Sequence, residues 1–212
     1  MTKKKREDAL KIYDVANPAP NPRRVRIFLA EKGIKVDYQP ISLMKGEHKA
    51  PEFKEKNSLG QVPVLELDDG THISESISIC RYFEALHPEP ALFGRTPVEV
   101  AQIDMWIRRI EFAVMTPIGN VWRHADARTS KIVKQFRDFG EANRETAFKA
   151  MKWLDGDIAG RDFIAGAHYS VADISALCTI DFAKFIGLEI PDDCPHLKAW
   201  HARVSARESA AA

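Results

Sequence analysis

The sequence predicts an α/β domain followed by an all-helical domain. Three observations carry that prediction. From Leu10 to about Leu86 strand-like and helix-like runs alternate. Beyond Arg95 the apolar residues recur only at helical spacing. Between the two regions His87 to Arg95, with its Pro and Gly, reads as a linker. The expected domains are residues 9–87 and 96–208 of the 212.

In the first domain, Leu10-Lys11-Ile12-Tyr13-Asp14-Val15 suits a short strand. The rigid loop Asn17-Pro18-Ala19-Pro20-Asn21-Pro22 follows. Asn21 can cap a helix there, with Pro22 at the first helical position, where no N–H is needed. Val25, Phe28 and Leu29 give that helix its apolar face and Gly33 ends it. Val36-Asp37-Tyr38 reads as a second strand, parallel to the first because a helix crosses between them. Val62-Pro63-Val64-Leu65-Glu66-Leu67 is a third strand, Asp68-Asp69-Gly70 a tight turn, and Thr71-His72-Ile73 the antiparallel partner. Ser74-Glu75-Ser76 then opens a helix carrying Ile79, Cys80 and Phe83, stopped by Pro88 and Pro90. This βαβ-ββα order is the thioredoxin-like arrangement, a mixed four-stranded sheet with flanking helices. In the second half, helices are expected over Val98–Trp122, Thr129–Leu154, Val171–Gly187 and Pro195–Glu208. Ser170 and Asp173 form an S-x-x-D capping box at the third of these.

Composition narrows the function. Lys and Arg number 31 against 30 Asp and Glu, so no global field exists to hold nucleic acid or an acidic membrane. The basic start, Lys3-Lys4-Lys5-Arg6, is followed at once by Glu7-Asp8, where a signal peptide needs an apolar segment. No apolar run approaches membrane-spanning length, and a cytoplasmic protein is expected. Cys80, Cys178 and Cys194 are far apart and odd in number, with no C-x-x-C pair and no metal-ligand spacing, so no metal is expected.

Two features carry chemistry. A proline inside a buried strand removes a ladder hydrogen bond, so Pro63 calls for an explanation. A cis Val62-Pro63 bond at the strand's mouth supplies one, turning the backbone of Val62 outward to pair with an extended peptide. Glu75-Ser76 stands where the last strand feeds a helix. The Ser76 hydroxyl and N–H suit a carboxylate, while Glu75 suits an adjacent ammonium. Together they describe a receptor for an amino-acid end. A plain serine cap with a dipole-favoured acid has the same residues.

Lys45-Gly46-Glu47-His48-Lys49-Ala50-Pro51-Glu52-Phe53, Asn57, Gly60-Gln61-Val62-Pro63-Val64-Leu65, Glu75-Ser76 and Arg81-Tyr82-Phe83 together resemble the glutathione-binding half of glutathione S-transferases. The pattern is bacterial-type and most like the phi and zeta classes. Phe163-Ile164-Ala165-Gly166, Ser170-Val171-Ala172-Asp173-Ile174 and Pro195-His196-Leu197 with Trp200 are similar to that family's helical domain. The resemblance implies that Glu75 and Ser76 hold the γ-glutamyl end of glutathione and that Val62 pairs with its cysteinyl unit. It places Gln61, His48 and Lys49 near the glycine carboxylate. It further implies a glutathione transferase that adds the thiolate to a hydrophobic electrophile and pairs as a two-fold homodimer.

The sequence departs from the family at one place. A catalytic Ser between the first strand and first helix falls here on Ala19, and no Ser, Thr or Cys occurs from Asp14 to Arg26. Tyr13 belongs to the strand. Asn21 is the polar residue best placed to donate to the glutathione sulfur, and Asn17 is second. Ala19 also favours an alternative, a non-catalytic glutathione-binding or interaction module on the same fold. Trp106, Phe112, Met115 and Trp122 sit at helical spacing, as core residues do, and include candidates for the co-substrate pocket.

Overall fold

A computed structural model describes residues 10–16 and 18–212. The basic start, including Lys3-Lys4-Lys5-Arg6, and the candidate Asn17 lie outside the described residues. The chain forms two compact units, one ending at Ala91 and one from Leu92 to Ala210.

The first unit is a mixed four-stranded sheet in the order β2-β1-β3-β4. Strand β1 (Lys11–Asp14) pairs in parallel with β2 (Asp37–Pro40). It pairs antiparallel with β3 (Val64–Glu66), which pairs antiparallel with β4 (His72–Ser74). Helix α1 (Pro20–Lys32) crosses from β1 to β2 and stops at Gly33, whose φ of 64° a side chain would resist. A short 3₁₀ turn, Glu47–Lys49, leads into α2 (Pro51–Lys54), and α3 (Ser76–Leu86) follows β4. Ile12 and Leu65 of the sheet, Val25, Phe28 and Leu29 of α1, and Ile79, Cys80 and Phe83 of α3 are at most 1% exposed. This is the βαβ-ββα order expected from the pattern.

Glu66 gathers the polar side chains of the sheet. Its carboxylate accepts from Tyr13 Oη at 2.7 Å and Lys56 Nζ at 3.0 Å, and lies 3.2 Å from His72 Nε2. The Tyr13 hydrogen bond leads in holding the Glu66 carboxyl down at about 2. Tyr13 is thus a strand residue with its hydroxyl committed.

In the second unit one long helix was expected over Val98–Trp122. The observed path is α4 (Pro97–Arg109), a π-helical segment Ile110–Met115, and α5 (Thr116–His124). Pro117 accounts for the interruption: it lacks an N–H, and its ring crowds the carbonyl four residues back. Helix α6 (Arg137–Asp157) begins eight residues later than the Thr129 expected. Thr129 Oγ1 donates to Trp122 O at 2.8 Å and Gln135 Nε2 donates to Asp126 O at 2.7 Å. These side chains hold the segment in turns at the expense of helix. Helix α7 (Val171–Phe185) is almost wholly buried and carries the expected capping box. Helix α8 (Pro195–Ser205) ends short of Glu208.

The three cysteines are buried, and none is in a disulfide. Among the described residues no helix is long and apolar enough to cross a membrane.

Candidate active site

Strand register gathers the sequence-identified residues of the first unit at one end of its sheet. Val64, the first residue of β3, lies opposite Tyr13 near the end of β1 and opposite Ser74 at the end of β4. The Val62-Pro63 pair, the loop into α1 and the Glu75-Ser76 junction therefore share that end. The Val62-Pro63 bond is cis, as expected, with Pro63 buried and Val62 half-buried.

At the β4-to-α3 junction Glu75 has φ 67° and ψ 117°, the one positive φ outside glycine among the described residues. Such a conformation in a residue with a Cβ costs on the order of 1–3 kcal/mol and points to a functional constraint. Glu75 is the N-cap of α3, yet its side chain makes no capping bond. Ser76 is 4% exposed, and its Oγ accepts from Arg24 Nη1 at 2.8 Å. The plain serine cap is therefore not what this structure contains. Glu75 is exposed, and the hydroxyl of the buried Ser76 that follows it lies next to a guanidinium.

The loop ahead of Val62 is built by side chains bonding to backbone. Asn57 Nδ2 donates to Gln61 O at 2.9 Å, and the Leu59 N–H donates to Asn57 Oδ1 at 3.2 Å. Lys49 Nζ donates to Leu59 O at 3.0 Å and Gly60 O at 2.8 Å. Lys49 thus joins the 3₁₀ turn to Leu59 and Gly60, just ahead of Gln61 and Val62, and an ammonium with three donors keeps one more. His48 is half-buried, and its Nδ1 has no hydrogen-bond partner. Burial, then the neighbouring Lys49 charge, lowers the pKa of its ring, which favours the neutral form.

The start of α1 differs from the sequence expectation. Ala19 is the N-cap and makes no side-chain bond; Pro20 is the first helical residue. Asn21 therefore lies inside the first turn, exposed, and does not cap the helix. Two prolines explain the earlier start. Pro20 and Pro22 lack N–H groups at positions whose donors have no partner within a helix, so neither opposes helix formation. One consequence is that, of the first three helical residues, Asn21 alone has a backbone N–H to offer. Its side-chain amide lies on the same turn.

Arg24, Asn57 and Gly60 were not assigned roles from sequence. Arg24 left a trace: it stands four residues before Phe28, on the apolar face of α1. Of the candidate co-substrate residues, Trp106 is a core residue at 2% exposed, stacked on Trp153 with centroids 6.0 Å apart. Phe112 is 68% exposed, and Met115 and Trp122 are half-buried.

The chain matches two family profiles, the glutathione S-transferase N-terminal domain over residues 19–86 and the C-terminal domain over residues 106–203. It is also 41% identical to glutathione S-transferase 2 of Saccharomyces cerevisiae over 203 residues, covering 93% of this chain and 86% of the relative. The chain belongs to the glutathione S-transferase family. It is an enzyme of that class. Two solved structures share the fold at a TM-score of 0.87. One is a glutathione S-transferase domain-containing protein of Marinobacter aquaeolei, 40% identical, with 94% of this chain and 98% of that one aligned. The other is Gtt2 of Saccharomyces cerevisiae, 38% identical, with 94% and 97% aligned.

Proposed function

We propose that glutathione lies along the mouth of β3, with its thiolate adding to a hydrophobic electrophile. The strained, exposed Glu75 followed by the buried Ser76 is the observation that carries this reading. In it Glu75 pairs with the γ-glutamyl ammonium and Ser76 donates to the adjacent carboxylate. Val62 pairs its backbone with the cysteinyl unit, as in strand addition. The remaining donor of Lys49, with Gln61 and His48, serves the glycine carboxylate. On this reading the enzyme acts in the cytoplasm as a homodimer, which the family relationship supports.

Calorimetry on the full chain tests the site. Ser76→Ala should weaken glutathione binding by roughly 1.5–3 kcal/mol, since it deletes a hydrogen bond to a charged group. Glu75→Gln should weaken it as well. Parental affinity in both variants would show the site to be misplaced. A panel of electrophiles, each assayed with and without glutathione, then identifies the co-substrate class.

Thiolate stabilisation falls to Asn21 in this proposal. Ala19 has no hydrogen-bonding side chain, and the two prolines remove the neighbouring backbone donors. Asn21 supplies an amide N–H₂, a backbone N–H and a place at the positive end of the α1 dipole. The Asn21→Asp variant separates catalysis from stability. Aspartate is favoured in a first turn, so thermal stability should be kept. An ionised carboxylate has no donor and repels a thiolate, so the bound thiol's pKa should rise and activity fall. Thiolate absorbance of the binary complex follows that pKa. Unchanged ionisation and full activity would remove Asn21 from the mechanism.

A further inference from the structure

Arg24 is a charged residue placed where the apolar face of α1 would otherwise continue. It is 1% exposed, yet it directs Nη1 at Ser76 Oγ over 2.8 Å, joining α1 to the first residue of α3. We propose that Arg24 is a positioning residue for the α-carboxylate of a γ-glutamyl ligand, acting through the Ser76 hydroxyl. This rests on the glutathione reading above.

A hydroxyl can donate and accept at once. Ser76 Oγ carries one proton and two lone pairs. A guanidinium only donates, so its bond to Oγ occupies a lone pair and leaves the hydroxyl proton for another acceptor. Donation from a permanently charged group also polarises the hydroxyl and strengthens it as a donor. A hydroxyl polarised in this way favours a charged carboxylate acceptor over a neutral amide. A tie between α1 and the sheet exists without Arg24. Arg26 Nη1 holds both oxygens of Asp14, at 2.9 and 2.8 Å, at the end of β1. Arg24 thus sets the chemical class at this subsite, a peptide whose γ-glutamyl end has a free α-carboxylate.

Calorimetry with two probes tests this: glutathione, and glutathione whose γ-glutamyl α-carboxylate is an amide. The proteins are the parent, Arg24→Met, Arg24→Lys, Ser76→Ala and the Ser76→Ala/Arg24→Met double variant, each checked by circular dichroism. Arg24→Met should weaken glutathione by about ten- to a hundredfold and the amide by no more than about threefold. In the Ser76→Ala background the same change should cost glutathione clearly less than in the parent, because the two residues act through one contact. Arg24→Lys keeps the charge and loses the fork; it should fall between parent and Arg24→Met, and it carries the comparison if Arg24→Met does not fold. Equal losses for both probes, additive losses in the double variant, or no loss in the folded variants would each overturn the proposal. A parent that binds neither probe would instead overturn the glutathione reading on which it rests.

Discussion

Asp173→Asn should lose roughly 3–5 kcal/mol of stability, a fall in melting temperature of about 10 °C or more. Asp173 is fully buried, and each carboxylate oxygen accepts two hydrogen bonds. One takes the Ile164 N–H at 2.8 Å and Trp200 Nε1 at 2.9 Å; the other takes the Ser170 N–H at 3.0 Å and the Ser170 hydroxyl at 3.2 Å. An asparagine must turn its N–H₂ toward one of these pairs, and each pair includes a backbone N–H that cannot rotate away. Donor then faces donor in a site closed to water. The variant should also lose a pH dependence. Burial pushes the Asp173 carboxyl up to about 6, against an ordinary 3.8, although its four donors oppose the shift. Across that window the native state binds more protons than the unfolded chain, so this group's contribution to stability falls as pH rises from about 4 to about 6. Urea unfolding of parent and variant at pH 4, 5, 6 and 7 measures both effects. Equal midpoints at pH 7 would remove Asp173 as the organiser of the α7 start.

Gly60→Ala should damage stability and ligand binding together. At φ 57° a methyl group costs about 1–2 kcal/mol through backbone conformation alone. Here it would also stand 2.5 Å from the His48 carbonyl oxygen and 3.1 Å from Lys49 Cδ. The carbonyl belongs to backbone, so the 3₁₀ turn has to move, and Lys49 loses its hold on the Leu59 and Gly60 carbonyls. The total should reach roughly 2–4 kcal/mol. Because Gln61 and Val62 follow directly, glutathione affinity should drop by about tenfold or more. Differential scanning calorimetry and a glutathione titration are the two readouts. An alanine variant with parental affinity would mean that the Lys49 clamp does not position the peptide-binding edge.

The fold was legible where local grammar and tertiary context agree. Alternation along β1 and β3, the Asp68-Asp69-Gly70 turn and Gly33 are short-range signals, and each element formed near its expected place. The misreadings arise where a side chain competes with the backbone. Thr129 and Gln135 bond to carbonyls and delay α6, and Pro117 opens the ladder within what looked like one helix. At α1 the sequence suggested Asn21 as a cap before Pro22, but two prolines spaced to fit the same turn allow an earlier start. Glu75-Ser76 and Val62-Pro63 were visible because each sits at a strand end, where composition alone marks an exception. Arg24 left only its place on the apolar face of α1, within a basic run that otherwise reads as solvated. The three-dimensional contact with Ser76, 52 residues away, supplies its partner.

The backbone of Glu75 has a consequence for adaptation. Glycine would occupy its conformation with less strain, so heat selection acting on fold stability alone would favour glycine at position 75 wherever that relief exceeds its entropy cost. A charged residue is kept there only while something rewards the charge. On the glutathione reading, thermal robustness and recognition are opposed at this one position, and heat-hardened descendants of this chain would lose their ligand before they lost their shape.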